Sequence, residues 1–201
     1  FLGRLSPSQI ERLIFPLGEF SSKEEVREYA EKLSLPNAKK GDSQEICFIP
    51  DKDYVRWISQ RAIEPGEGNF IFDGEVIGRH EGIHRWTVGQ RIPGLHNGRK
   101  LYVGEIRPQS DEIVLVLWEE LFKNEVRIRD FNWLITEPTE PIRGSVKVRH
   151  TKWENPACII HPGGDKVRII CEDPVRAPAA GQSAVVYQGD MLVGGGFIYQ
   201  D

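Results

Sequence analysis

The sequence predicts an α+β chain in three parts: a short helical segment over residues 1–62, a small β-rich middle domain over 63–120 and a C-terminal antiparallel β-barrel over 121–201. Three observations predict it. Capped apolar patterns of helical period occupy only the first third. The composition changes at Glu64-Pro65-Gly66-Glu67-Gly68, a linker signal. Beyond it, short alternating runs recur between Gly, Pro and Asp, as in small barrels.

The first helix is expected from Ser6-Pro7-Ser8-Gln9, which offers an N-cap, a proline at the first helical position and a glutamine three residues on. Ile10, Leu13 and Ile14 then share a face, and Phe15-Pro16-Leu17-Gly18 stops it. Ser22-Lys23-Glu24-Glu25 is a second capping box. Val26, Tyr29, Ala30 and Leu33 follow at i, i+3, i+4, i+7, and Pro36 ends that helix. Residues 41–48 have no helical period; Ile46-Cys47-Phe48-Ile49 reads as a buried strand or a covered loop. A third helix is expected from Asp51, with Tyr54, Val55 and Ile58 inward.

In the middle segment, Phe70–Ile77 carries an Asp73-Gly74 turn, the strongest short hairpin signal. Leu101–Ile106 and Glu112–Leu117 flank a Pro-Gln-Ser-Asp turn. Six further strands are expected at Val126–Phe131, Ser145–Arg149, Ala157–His161, Lys166–Cys171, Ser183–Tyr187 and Met191–Tyr199. Gly194-Gly195-Gly196 lacks the Lys-Ser/Thr of a P-loop and precedes a strand, so it reads as a bulge or a close strand crossing.

The net charge of −4 excludes a protein coated in basic residues for non-specific nucleic-acid binding. Residues 1–62 hold 10 basic and 10 acidic residues, 63–120 hold 6 and 10, and 121–201 hold 10 and 10, so any RNA contact is expected from local clusters or from a part absent from this chain. Two segments qualify. Residues 79–91 mix cations, Trp86 and glycines. In residues 143–152, Ser145, Lys147 and Arg149 alternate with Val146 and Val148, which makes one strand face polar and basic. For each single residue of the first segment, a glycine-rich turn whose charges face water is the better reading, and a solvated outer face explains the second pattern equally well. No apolar run approaches the length needed to cross a bilayer, no signal peptide is visible, and the odd, sparse cysteines fit a reducing cytoplasmic setting best. The chain starts without Met and is read as a fragment or a processed product.

Three cysteines without C-x-x-C spacing form neither a disulfide framework nor a zinc site. Cys158 and Cys171 lie in apolar runs and read as small core hydrophobes. Cys47 sits between Ile46 and Phe48, which also favours packing. The polar cluster Asp42-Ser43-Gln44 beside it points instead to a loop where a thiol could hold sulfur as a persulfide. His80, His84 and His96 lack a completing ligand and a helix to present them, so no metal site is expected.

Several blocks together resemble the tRNA-specific 2-thiouridylase family. They include Phe15-Pro16-Leu17-Gly18, Asp42-Ser43-Gln44-Glu45-Ile46-Cys47-Phe48, Gly78-Arg79-His80-Glu81-Gly82, Thr87-Val88-Gly89-Gln90-Arg91, Pro174-Val175-Arg176-Ala177-Pro178, Gly181-Gln182-Ser183-Ala184-Val185 and Gly194-Gly195-Gly196. They occur in the family's order and cover nearly the whole chain.

The resemblance implies that residues 1–62 are the tail of an α/β catalytic domain. It also implies a transferase that converts the wobble uridine of tRNA to 2-thiouridine. ATP, with Mg, activates the uracil carbonyl at a site outside this chain. Sulfur arrives from a donor protein, either a cysteine desulfurase or a sulfur carrier. Cys47 takes the persulfide role, with Asp42, Ser43 and Gln44 supporting it. A partner cysteine, absent here, can form a transient disulfide with it. Arg149, His150 and Gln182 match tRNA contacts, although His150 stands where the family has Tyr. Trp86 likewise stands where Tyr is usual. The chain by itself is expected to be inactive. The alternatives are a non-catalytic RNA-binding module and a fragment that docks a sulfur carrier.

Overall fold

A computed structural model describes residues 2–41, 48–49, 53–61, 66–95, 98–151 and 153–200. They form two compact units, residues 8–63 and residues 1–7 with 64–201.

In the first unit, α2 (Lys23–Lys32) starts as the capping box requires. The Ser22 hydroxyl accepts from the Glu25 N–H at 3.2 Å, and the Glu25 carboxylate accepts from the Ser21 N–H at 2.8 Å. None of its residues is fully buried: Val26 and Ala30 of its apolar stripe are half-buried, while Tyr29 and Leu33 are exposed. α3 (Tyr54–Ser59) begins later than Asp51. Asp53 is its N-cap and accepts from the Arg56 N–H at 2.9 Å. The first expected helix is cut to one turn, α1 (Pro7–Ile10). The N–H groups of Arg12 and Leu13 then close tight three-residue turns on Gln9 and Ile10. Ile14 is 85% exposed. A short helix is marginal in water unless a face is buried, and here the Ile14 side chain meets solvent.

The second unit contains two β-structures. The middle sheet has β1 (Gly68–Phe72), β2 (Glu75–His80), β3 (Arg91–Ile92), β4 (Leu101–Arg107) and β5 (Glu112–Val116), in the order β2-β1-β5-β4-β3. Only β1 and β5 run parallel. Asp73 and Gly74 turn the first hairpin with φ of 51° and 81°, the left-handed pair that a twisted hairpin needs. Phe70, Phe72, Leu101, Val103, Ile113 and Leu115 form the core of this sheet.

The barrel has β6 (Phe122–Trp133), β7 (Ile142–Lys147), β8 (Asn155–Gly163), β9 (Lys166–Arg176), β10 (Ser183–Gln188) and β11 (Met191–Ile198). All six expected strands are present, and the antiparallel ladder β10-β11-β6-β9-β8-β7 closes through β7 and β10. Val126, Ile128, Val146, Ile159, Ile169 and Val186 fill the interior. Each such side chain contributes about 1.5–3 kcal/mol relative to exposure.

The triple glycine is the close crossing that the sequence predicts. A Cβ at Gly194 would lie 2.3 Å from the Asn132 carbonyl oxygen, one at Gly195 2.9 Å from that of Ala184, and one at Gly196 2.6 Å from that of Arg129. The β6–β11 register slips between Gly195 and Phe197. The short turn Leu2–Arg4 lies on the same stretch. Asn132 Nδ2 donates to the carbonyls of Gly3 (3.1 Å) and Leu5 (2.9 Å). The Arg4 guanidinium donates to the Asp130 carbonyl and covers the Phe197 ring at 4.5 Å.

Arg176 joins sheet to barrel. Its Nη2 donates to the Gly89 carbonyl at 2.8 Å, and its guanidinium lies 4.5 Å above the Trp118 ring. That ring contacts Tyr102 of the sheet at 5.2 Å and Phe122 of the barrel at 5.6 Å. The Ala177 N–H donates to Leu121 at 2.7 Å beside it.

Two predictions follow from this packing. Gly196→Val should lower stability by about 2–3 kcal/mol, because the Arg129 backbone cannot retreat without breaking the ladder; the shift in urea midpoint measures it. On the outer barrel face, Arg168 and Arg127 hold the Glu125 carboxyl at about 2, well below its ordinary 4.5. A depressed carboxylate stabilises the fold fully above its unfolded value and loses that contribution as pH falls toward 2. Solvent reaches the group, so Glu125→Gln should cost no more than about 1 kcal/mol at neutral pH. The gap from the parent should close between pH 4.5 and 2 in acid titrations of stability.

Candidate functional site

Cys47, Asp42, Ser43 and Gln44 lie outside the described residues. Beyond them, the Phe48 ring is more than half exposed and tilts onto Trp57 at 5.3 Å, while Ile49 is buried.

Arg149, His150 and Gln182 come together. The pairing of Lys147 with Val185 and of Val146 with Val186 sets the end of β7 against β10. A cleft of about 590 Å³ opens there, lined by Lys147, Arg149, His150, Gln182, Ser183 and Tyr187. Val146 and Val148 point inward and Ser145, Lys147 and Arg149 outward, as strand alternation requires.

The cations of this cleft are partly engaged by the protein itself. Arg149 Nη2 donates to the carbonyls of Arg176 (2.5 Å) and Ala177 (2.9 Å). A guanidinium has five donors, so its other nitrogens keep theirs. Lys147 Nζ is 3.3 Å from Glu154 and 5.4 Å from the centre of the Tyr187 ring. The Ser145 hydroxyl and then Lys147 hold the Glu154 carboxyl below its ordinary range. Positive charge here is local and tempered by one carboxylate.

The other basic segment is arranged differently. Trp86 is half-buried and packs edge-on against Phe70 at 5.2 Å, beside the core of the sheet. His80 is buried, and its Nδ1 accepts from the Gly82 N–H at 3.1 Å. Burial pushes this imidazole below its ordinary value, against an opposing pull from Asp111. Arg85 pairs with Glu81 at 2.9 Å. His96 lies outside the described residues, among which no group of three or more potential metal ligands occurs.

Cys158 and Cys171 are on adjacent strands, but Ala157 pairs with Cys171 and Cys158 with Ile170. The one-residue offset puts the two thiols on opposite faces. Cys171 faces the barrel core, where burial pushes its thiol up to about 11, so it is the neutral, inert form at pH 7.

Comparison with known proteins matches residues 1–51 to the family described as tRNA methyl transferase HUP domain, 57–116 to its PRC-barrel domain and 123–198 to the aminomethyltransferase β-barrel domain. Curated relatives align over 98% of the chain. They include the tRNA-specific 2-thiouridylases MnmA of Solibacter usitatus (39% identical) and Carboxydothermus hydrogenoformans (40%), and MnmA 1 of Caldanaerobacter subterraneus (42%). The chain belongs to the tRNA-specific 2-thiouridylase family. It spans 55–56% of the length of these three thiouridylases.

Within this thiouridylase-family chain, Arg176 is the residue that sequence reasoning left without a role. Its block was recognised, but its contacts lie in Gly89 and Trp118, which no local pattern connects to it. Nothing among the described residues makes the triple glycine a phosphate cradle, since backbone fills the space where an anion would sit. No helix among the described residues is long and apolar enough to cross a membrane.

Arg176→Met should lower stability by about 2 kcal/mol, the scale of a charged hydrogen bond plus a ring contact. Urea unfolding of this variant should also lose cooperativity between sheet and barrel, which tryptophan fluorescence against far-UV circular dichroism detects as non-coincident transitions.

Proposed function

We propose that this chain is the sulfur-carrying and RNA-contacting part of a tRNA-uridine 2-sulfurtransferase. Three family matches in sequence, together with relatives named tRNA-specific 2-thiouridylase, are the observation that supports it. Residues 1–62 form the tail of the catalytic domain, 63–120 the middle domain and 121–201 the tRNA-contacting barrel.

Cys47 is the sulfur carrier. Its thiolate attacks the outer sulfur of a donor persulfide, on a cysteine desulfurase or a sulfur-carrier protein. The donor's S–S bond breaks, the donor thiol is released, and Cys47 becomes the persulfide. The terminal sulfur then bonds to carbon 2 of the wobble uracil as the oxygen departs with its activating group. A second thiol attacks Cys47, takes over the S–S bond as a disulfide and leaves the transferred sulfur on the base. A thiol reductant resets the pair. Asp42, Ser43 and Gln44 support Cys47 in this role. ATP with Mg belongs to the part of the longer relatives that this chain does not span, and no step on these residues runs through it.

Arg149, His150 and Gln182 bind tRNA at the barrel cleft. Arg149 supplies phosphate contact through its free donors, Gln182 supplies amide hydrogen bonds, and His150 takes the position beside them.

Two measurements test the reading. Mass spectrometry after incubation with a persulfide donor should find one added sulfur atom on Cys47, and Cys47→Ser should abolish it. Label confined to Cys158 or Cys171 overturns the assignment. Titration with tRNA at two salt concentrations should show affinity falling with salt, and Arg149→Met should flatten that slope by about one phosphate contact. Salt-dependent binding with no sulfur on Cys47 would instead fit an RNA-binding module. Sulfur transfer without RNA affinity would fit a docking fragment.

A further inference from the structure

The candidate RNA cleft holds a second cation whose charge is already taken. Lys147 lines it beside Arg149, two positions back on the same outward row. Its Nζ lies 3.3 Å from Oε1 of Glu154. The other oxygen of that carboxylate, Oε2, accepts from the Ser145 hydroxyl. Glu154 belongs to the wall of a neighbouring cleft of about 450 Å³, which Lys147 also borders. The ammonium therefore sits between two hollows, with Glu154 in one and the Tyr187 ring, 5.4 Å away, in the other.

Both groups that hold Glu154 are groups that can hold phosphate. An ammonium has three rotatable donors and no acceptor, and a hydroxyl donates to a phosphate oxygen as it does to a carboxylate. Nor is the pair sealed: 27% of the Lys147 side chain and 35% of the Glu154 side chain remain exposed. An ion pair that water reaches contributes little, so an arriving phosphate can displace it. Arg149 differs, because the groups it holds are the Arg176 and Ala177 carbonyls.

We infer that Lys147 is a second phosphate contact of the RNA cleft and that Glu154 masks it in the free protein, standing in for the phosphate until RNA displaces it. The inference rests on the RNA reading given above and adds a built-in competitor to it. The mask weakens the hold on any passing polyanion, since the ammonium must give up one anion to take another. It also has a salt signature. RNA sheds a condensed cation when its phosphate meets Lys147, but the displaced carboxylate draws cations back toward itself. The exchange offsets the salt dependence that Lys147 would otherwise add.

The full chain is titrated with unfractionated tRNA at two salt concentrations, as parent, Glu154→Gln, Lys147→Met and the double variant, with thermal melting to verify folding. The amide oxygen of Glu154→Gln can still accept from Ser145, while its charge is gone. This variant should bind about 3-fold tighter at the lower salt, the scale of a surface ion pair, and its salt slope should steepen by up to one phosphate contact. In the Lys147→Met background, Glu154→Gln should lose most of that gain, because no ammonium is left to unmask. If the parent binds and Glu154→Gln binds no tighter, the mask is wrong while the tRNA reading stands. A gain that persists undiminished without Lys147 also overturns it, since the carboxylate would then act by general repulsion. Absence of tRNA affinity from the parent and every variant removes the tRNA reading and this inference together.

Discussion

Closure of the barrel through β7 and β10 is the constraint on which the rest depends. Six short strands can close only if the sheet turns a sharp corner, and the corner is at Gly194–Gly196, where neighbouring carbonyls occupy the space of any side chain. Because the corner holds, β10 reaches β7, and residues from the loop after β9 come beside those at the end of β7. Neither Arg149 nor Gln182 belongs to a site before that step. The same glycines leave a shallow seat for Gly3, so the start of the chain is fixed by the feature that shapes its end.

The electrostatics of the barrel are organised around backbone carbonyls as much as around carboxylates. Arg149 and Arg176 form a relay: one guanidinium holds the carbonyl of the other residue, whose own guanidinium holds Gly89 across the joint. The geometry of the candidate RNA cleft is thereby linked to the seam between sheet and barrel. With a net charge of −4, the chain offers no bulk attraction to a polyanion, and these two cations act through oriented contacts.

Much of the second unit was legible because its signals are local. Asp73-Gly74 dictates its turn, and the alternation of Val146 and Val148 with Lys147 and Arg149 dictates which face is buried. The strands extend past the expected ends, as β9 does to Arg176, because ladder hydrogen bonds persist where side-chain alternation fades. The first helix misled for the opposite reason: Ile10, Leu13 and Ile14 have the period, but periodicity stabilises a helix only where something covers the face. Residues 79–91 qualified by composition alone, which cannot tell that Trp86 packs against the core of the sheet.

The hold of Asn132 and Arg4 on residues 3–5 changes what the first unit is. Residues 1–7 and 64–201 share one body, so the chain between them is an excursion anchored at both feet. A segment pinned twice cannot drift off when it melts. Its return is a ring closure whose entropic cost grows only with the logarithm of its length. Local opening there can be frequent and still harmless, a tolerance that a singly attached tail would lack.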